Sequence, residues 1–188
     1  ESYAVDVYDE ETVKADVERA KEEADIVMVF LHTGVEYQNE PDEATKERVE
    51  YLADLGVDVV IGTHPHVIRP YGMMERPDGK QMLVYYSLGN FVSGQQGISQ
   101  LLEGMADMTF VKDPDTGEIS IETYSMEPLV MHYEPGYSGY AVYPLEKYTE
   151  ELAAASGVHQ ETNEDFSPES IQAYFEPYLK PQVFERSE

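Results

Sequence analysis

Two short apolar runs, Asp25 to Leu31 and Asp58 to Ile61, flank a stretch of helical periodicity, and each leads into a histidine-bearing segment. Both runs read as buried parallel strands. Between them, Glu43 to Leu55 carries Val49, Leu52 and Ala53 at one-face spacing and is followed by Gly56, which predicts an amphipathic helix with a glycine stop. A strand-helix-strand crossover puts the carboxyl ends of both strands on one edge of the sheet, where α/β proteins bind ligands. The segments LHTGVEY (Leu31 to Tyr37) and IGTHPHV (Ile61 to Val67) therefore share one rim. His32, His64 and His66, three of the five histidines, are expected to converge there.

Alternation of Tyr3, Val5 and Val7 predicts an opening strand, and Val13, Val17, Ala20 and Ala24 predict a helix over about Glu11 to Glu23. After the rim the pattern changes. Tyr71 to Glu75 and Met82 to Tyr86 flank the turn Pro77-Asp78-Gly79-Lys80, and Met105 to Val111 and Ile119 to Pro128 flank a second cluster of turn residues from Asp113 to Gly117. Two antiparallel hairpins follow from this. In the tail, Leu145, Tyr148, Leu152 and Ala155 predict a helix ended by Gly157. Ser167-Pro168-Glu169 starts a last, short helix limited by Pro177. The polar stretch from Gly157 to Phe166 between them reads as a linker or mobile loop. The fold class expected is α/β, an α+β sandwich of mixed sheets flanked by helices.

Composition narrows the chemistry. A chain of 188 residues, 41% hydrophobic, can bury one sizeable core. Thirty-eight acidic against twelve basic residues give a formal charge of −26, which disfavours nucleic acid and anionic lipid as partners. With no cysteine, a metal would have to be held by His, Asp, Glu or Asn, a donor set suited to Mn, Fe or Zn. No run approaches the roughly 18 apolar residues of a membrane span. The chain opens on Glu1 rather than Met, and the expectation is that its natural N-terminus, with any anchor or export signal, has been removed.

A lone strand-end histidine is more often packed or solvent-bonded than a ligand, so His32 with Glu36 four residues later carries little by itself. Gly62-Thr63-His64-Pro65-His66 carries more. Proline stiffens the loop between two histidines directly after a buried strand, and both rings are offered at the site edge. Three imidazoles on one rim fit a catalytic metal, which needs such ligands and an open position. Asn90, in Ser87-Leu88-Gly89-Asn90-Phe91 after a third strand, is either a left-handed turn residue or an amide donor at the same rim. His132 reads as a strand-end residue and His159 as solvated loop. Of fifteen tyrosines, Tyr37 alone is close in sequence to the rim.

The segments HTGVEY, GTHPHV and SLGNF, in this order and spacing, resemble the CapA family of bacterial capsule and poly-γ-glutamate synthesis proteins, whose fold is that of the calcineurin-like metallophosphoesterases. The match runs from about Val13 to Phe91. Family members typically carry an aromatic where Thr33 stands and often a histidine where Thr63 stands, while His64 and His66 are intact. The resemblance implies His32, His64 and His66 as metal ligands, His64 and His66 dividing between two ions in the full-length protein. His66, Glu36 and Asn90 are implied as the catalytic, second-shell or substrate-contacting groups. It further implies that the family's first ligands, an aspartate and an Asn-His pair, precede Glu1. Residues 1–143 would then be the C-terminal portion of the domain and 144–188 a helical tail packed on it or extending from it. Expected partners are an anionic polymer or phosphoester substrate and membrane synthase or export subunits. The expected location is the cell surface, with the anchor in a missing N-terminal segment and no membrane contact by this portion. Three functions stay open on these grounds: an accessory protein of polymer synthesis or export, a metal-dependent phosphoesterase or hydrolase, and a non-catalytic binding module.

Overall fold

A computed structural model of the chain describes residues 7–186. The opening strand expected at Tyr3 and Val5 lies outside the described residues. Helix α1 (Glu10–Glu23) starts where the Asp9 carboxylate accepts the Thr12 amide at 3.0 Å, with Glu10 and Glu11 in the first turn and Lys21 in the last, all favourable to the helix dipole. Helix α2 (Glu43–Asp54) is capped the same way by Asp42 and buries Thr45, Val49, Leu52 and Ala53 along one stripe. Gly56, at φ 79°, ends that stretch in a conformation that favours glycine.

Strand β1 (Met28–His32) pairs in parallel with β2 (Val59–Thr63), and β2 with β4 (Gln81–Tyr85). The first hairpin forms as expected, β3 (Tyr71–Glu75) lying antiparallel to β4 across the Pro77 to Lys80 turn. Strand β8 (Gln182–Phe184), which hydrophobic patterning does not show, joins β3 in parallel and completes a sheet of order β1-β2-β4-β3-β8. Gly72 makes that possible: a Cβ there would stand 1.9 Å from the Gln182 carbonyl oxygen.

The second hairpin also forms, but its strands are longer than expected, β5 (Leu102–Lys112) against β6 (Ile119–Glu134). A further strand, β7 (Ser138–Pro144), extends it to three strands. His132 lies near the end of β6, as expected. It is buried within β6, opposite Ala141, with Nδ1 2.9 Å from the Tyr148 hydroxyl, and burial lowers its pKa from the ordinary value.

The central strands of the five-stranded sheet, β2 and β4, are buried on both faces. On one, Val60, Met82 and Val84 pack against Val17 of α1 and Val49, Leu52 and Ala53 of α2; on the other, Val59, Ile61, Leu83 and Tyr85 meet Leu102, Met126 and Val130 of the second sheet. That explains why β2 reads as an unbroken apolar run. Strand β1, expected to be buried, instead borders the sheet among the described residues and turns Met28 and Phe30 to solvent, Phe30 being 70% exposed.

The tail departs from its sequence reading in two places. Its first helix is broken: Leu145–Lys147 form one 3-10 turn, and α3 (Glu150–Ala155) starts afresh at the Thr149 cap. The stretch expected to be a loose linker is packed, with a 3-10 turn at Gly157–Gln160 and with Val158 and Phe166 buried in the same core as the sheets. Two apolar side chains are enough to anchor ten mostly polar residues. Helix α4 (Pro168–Phe175) has the expected proline start and buries Ile171 and Phe175. Among the described residues no helix is long and apolar enough to cross a membrane.

Candidate metal centre

Since β1, β2 and β4 run in parallel, their carboxyl ends lie on one edge of the sheet, and the three histidines meet there. The His32 and His64 ring centroids are 4.8 Å apart and those of His64 and His66 5.9 Å. Ligand atoms of Glu36, His64 and His66 all lie within 4.8 Å of one another. Glu36, expected as a second-shell or substrate-contacting group, therefore completes the tightest trio, and His32 stands beside His64 just outside it. His32 Nδ1 is 3.1 Å from Thr63 Oγ1 across the β1–β2 pair, which leaves Nε2 uncommitted.

The backbone at this rim is under strain. His64 has φ 99° and His66 φ 61°, flanking Pro65, and Tyr37 has φ 62°. Left-handed conformations of this kind cost about 1–3 kcal/mol each in residues with a Cβ, and they persist only where surrounding structure imposes them. Two contacts tie Tyr37 to the Pro65-His66 turn: the Tyr37 amide donates to the Pro65 carbonyl at 2.8 Å, and the Tyr37 ring stacks on His66 at 5.9 Å. The Tyr37 hydroxyl, which accepts from Gln95 Nε2, is held above its ordinary pKa, first by desolvation and then by the Glu36 charge.

Asn90 is turned towards His66 at the same rim. Its Oδ1 lies 2.8 Å from His66 Nδ1, and its Nδ2 faces the His66 and Gln100 carbonyls and Gln95 Oε1. Three acceptors around Nδ2 fix the amide's orientation, so Oδ1 can only accept and His66 must carry its proton on Nδ1. The lone pair of His66 is then on Nε2, the nitrogen 3.8 Å from the Glu36 carboxylate. A ligating histidine needs this arrangement, one nitrogen donating to a fixed partner and the other free to bind. The donor set of two imidazoles and a carboxylate, half-buried to exposed at an open rim, fits a borderline or hard divalent cation.

Thr33, where the resemblance puts an aromatic, is buried, and its hydroxyl accepts from the Arg48 guanidinium. Arg48 in turn lies over the Tyr8 ring at 5.1 Å. Sequence reasoning passed over Gln95 and Arg69. An arginine inside the apolar run from Val67 to Tyr71 was the one signal of a buried polar contact.

Residues 1–95 match the model of the family described as bacterial capsule synthesis protein PGA_cap. The PGA biosynthesis protein CapA of Bacillus subtilis (strain 168) is 34% identical over 105 residues, 56% of this chain and 26% of that protein. The capsule biosynthesis protein CapA of Bacillus anthracis is 39% identical over 75 residues, 40% of this chain and 17% of that protein. The matched segments thus span about a quarter and a sixth of these relatives. The family match over residues 1–95 includes the rim segments, and the two-sheet architecture flanked by helices is metallophosphoesterase-like, as the resemblance implied. With its first 95 residues matched and its rim built as described, the chain belongs to the PGA_cap family of bacterial capsule synthesis proteins.

Proposed function

We propose that this domain serves the synthesis or export of a capsule polymer of the poly-γ-glutamate type at the cell surface, and that its rim holds a divalent cation through Glu36, His64 and His66. The observation that carries the metal reading is the convergence of those three ligand atoms within 4.8 Å, with His66 Nε2 freed by Asn90. The names of the two CapA relatives support the polymer reading.

Electrostatics connect the two. A chain of formal charge −26 repels a polyanion. A bound divalent cation supplies local positive charge and polarises a phosphoryl or carboxylate oxygen. The protein's own groups do the rest: Glu36 and His66 place a carboxylate and an imidazole at the same point, Asn90 fixes the imidazole's tautomer, and the free Nε2 of His32 is placed to hold or pass a proton. Mn, Fe and Zn all suit these donors, and a second ion would draw on ligands upstream of Glu1. Synthase or export subunits in the membrane are the partners this reading calls for, reached through an anchor upstream.

The same donor set favours a second reading, a metal-dependent hydrolase of phosphoesters or of bonds in the polymer, because neutral imidazole and carboxylate are the groups that general acid-base chemistry uses. Full-length protein with Mn²⁺, offered γ-glutamyl polymer and simple phosphoesters, separates them. The polymer-linked role predicts metal-dependent retention of polymer that His66→Ala abolishes. Turnover above the His66→Ala control identifies the hydrolase, and metal-independent retention, equal in wild type and variant, overturns the metal reading. Surface polymer left at normal levels in cells carrying His66→Ala overturns the role of this site in capsule formation.

A further inference from the structure

Arg69 is fully buried, yet it makes no hydrogen bond to a carboxylate. Its guanidinium instead reaches the loop that carries Glu36. Nε donates to the Gln38 carbonyl at 2.8 Å and Nη2 to the Val35 carbonyl at 3.0 Å, the two backbone oxygens that bracket Glu36 and Tyr37. Asp42, the nearest acidic partner, stands 4.0 Å from Nη1, and Nη1 has no hydrogen bond. From these contacts we infer that Arg69 is a positioning residue of the metal centre, setting where the Glu36 carboxylate stands relative to His64 and His66. The inference rests on the proposed reading of that site.

The clamp is tied at both ends. The Arg69 amide donates to the Ser87 carbonyl at 3.0 Å, so its backbone is fixed to the segment that carries Asn90. On the loop side, the Asn39 side-chain Nδ2 donates to the Ile68 carbonyl at 2.9 Å, and the Tyr37 backbone amide donates to the Pro65 carbonyl. Gly34 is shaped by the same group: a Cβ there would stand 2.6 Å from Arg69 Nη1, and the residue has φ 116°. A planar fork of donors spans two carbonyls at once, which a lysine ammonium cannot do from a single point. The Arg69 side chain is shut off from solvent and its hydrogen bonds all go to the loop that carries Glu36, so the guanidinium acts through that loop.

A double-mutant cycle on the full-length protein tests this, with Zn²⁺ affinity read by calorimetry for wild type, Arg69→Lys, Glu36→Gln and the double variant. Outer-shell partners are worth about 10–100-fold in metal affinity. Arg69→Lys is expected to weaken Zn²⁺ binding by about 10-fold in the wild-type background and by less than about 2-fold once Glu36 is Gln, because the two changes remove the same contribution. Wild-type affinity in Arg69→Lys, or a loss of equal size in both backgrounds, overturns the positioning role. Affinity unchanged in both Glu36→Gln and His66→Ala overturns the site reading itself and the clamp with it. Thermal unfolding without metal shows whether each variant folds. Should Arg69→Lys fail to fold, Gly34→Ala displaces the same guanidinium from the loop side, and the same non-additivity with Glu36→Gln is expected.

Discussion

A Cβ added to Gly62 would stand 2.2 Å from the carbonyl oxygen of Tyr86. Gly62 precedes Thr63 and the two histidines, and Tyr86 precedes Ser87 to Asn90. Absence of a side chain at one position thus lets β2 and the end of β4 approach closely enough for Asn90 to reach His66.

Gly62→Ala is expected to force those segments apart. Overpacking against backbone, which cannot rotate away, costs about 1–3 kcal/mol or more. Chemical denaturation should show a lowered midpoint with an unchanged slope. Metal affinity should fall as well, since the His66–Asn90 contact depends on the approach. A variant as stable as wild type would show that the strands separate freely.

Asn90→Ala removes the acceptor that faces His66 Nδ1 and leaves three acceptors around the old amide position without that donor. Zn²⁺ affinity should drop by about 10–100-fold, the usual effect of losing a partner that orients a ligating histidine. Calorimetry on the full-length protein reads it. Nitrogen NMR of the His66 ring should show loss of the single Nδ1–H tautomer, whereas an unchanged ring spectrum would contradict the assignment.

Glu103 supplies a pH prediction. It is fully buried on β5, neither carboxylate oxygen has a hydrogen-bond partner, and desolvation pushes its pKa up to about 9. Between its ordinary value of 4.5 and about 9, the folded protein keeps a proton that the unfolded chain has released. Stability contributed by that proton is complete at low pH and is lost as pH rises through the window. Glu103→Gln should abolish this slope, so that the variant gains on wild type by on the order of 4 kcal/mol between pH 5 and 8, about 1.4 kcal/mol for each pH unit. Parallel pH profiles of unfolding free energy would show Glu103 to be ionised in the folded state.

Much of the sheet was legible because its signals are local. Continuous apolar runs marked β1 and β2, and the Pro77 to Lys80 turn marked the β3–β4 hairpin. Strands β7 and β8 were not legible. Strand β7 is half-exposed and starts with Ser138 and Gly139, and β8 has three residues whose pairing depends on a missing side chain at Gly72. The stretch from Gly157 to Phe166 looked like a linker because only Val158 and Phe166 carry its packing. At the rim, the nearness of His64 and His66 follows from the His-Pro-His spacing. The place of Glu36 does not, because backbone contacts from Arg69 and Tyr37 set it, and residue type says nothing about those.

The central claim is that Glu36, His64 and His66 hold a divalent cation. Anomalous diffraction at the zinc edge, on crystals of full-length protein grown with Zn²⁺, tests it most directly. A peak is expected within ordinary ligand distance, about 2.0–2.2 Å, of His66 Nε2, a His64 ring nitrogen and a Glu36 oxygen. A fully occupied zinc bound elsewhere, with this rim empty, would contradict it.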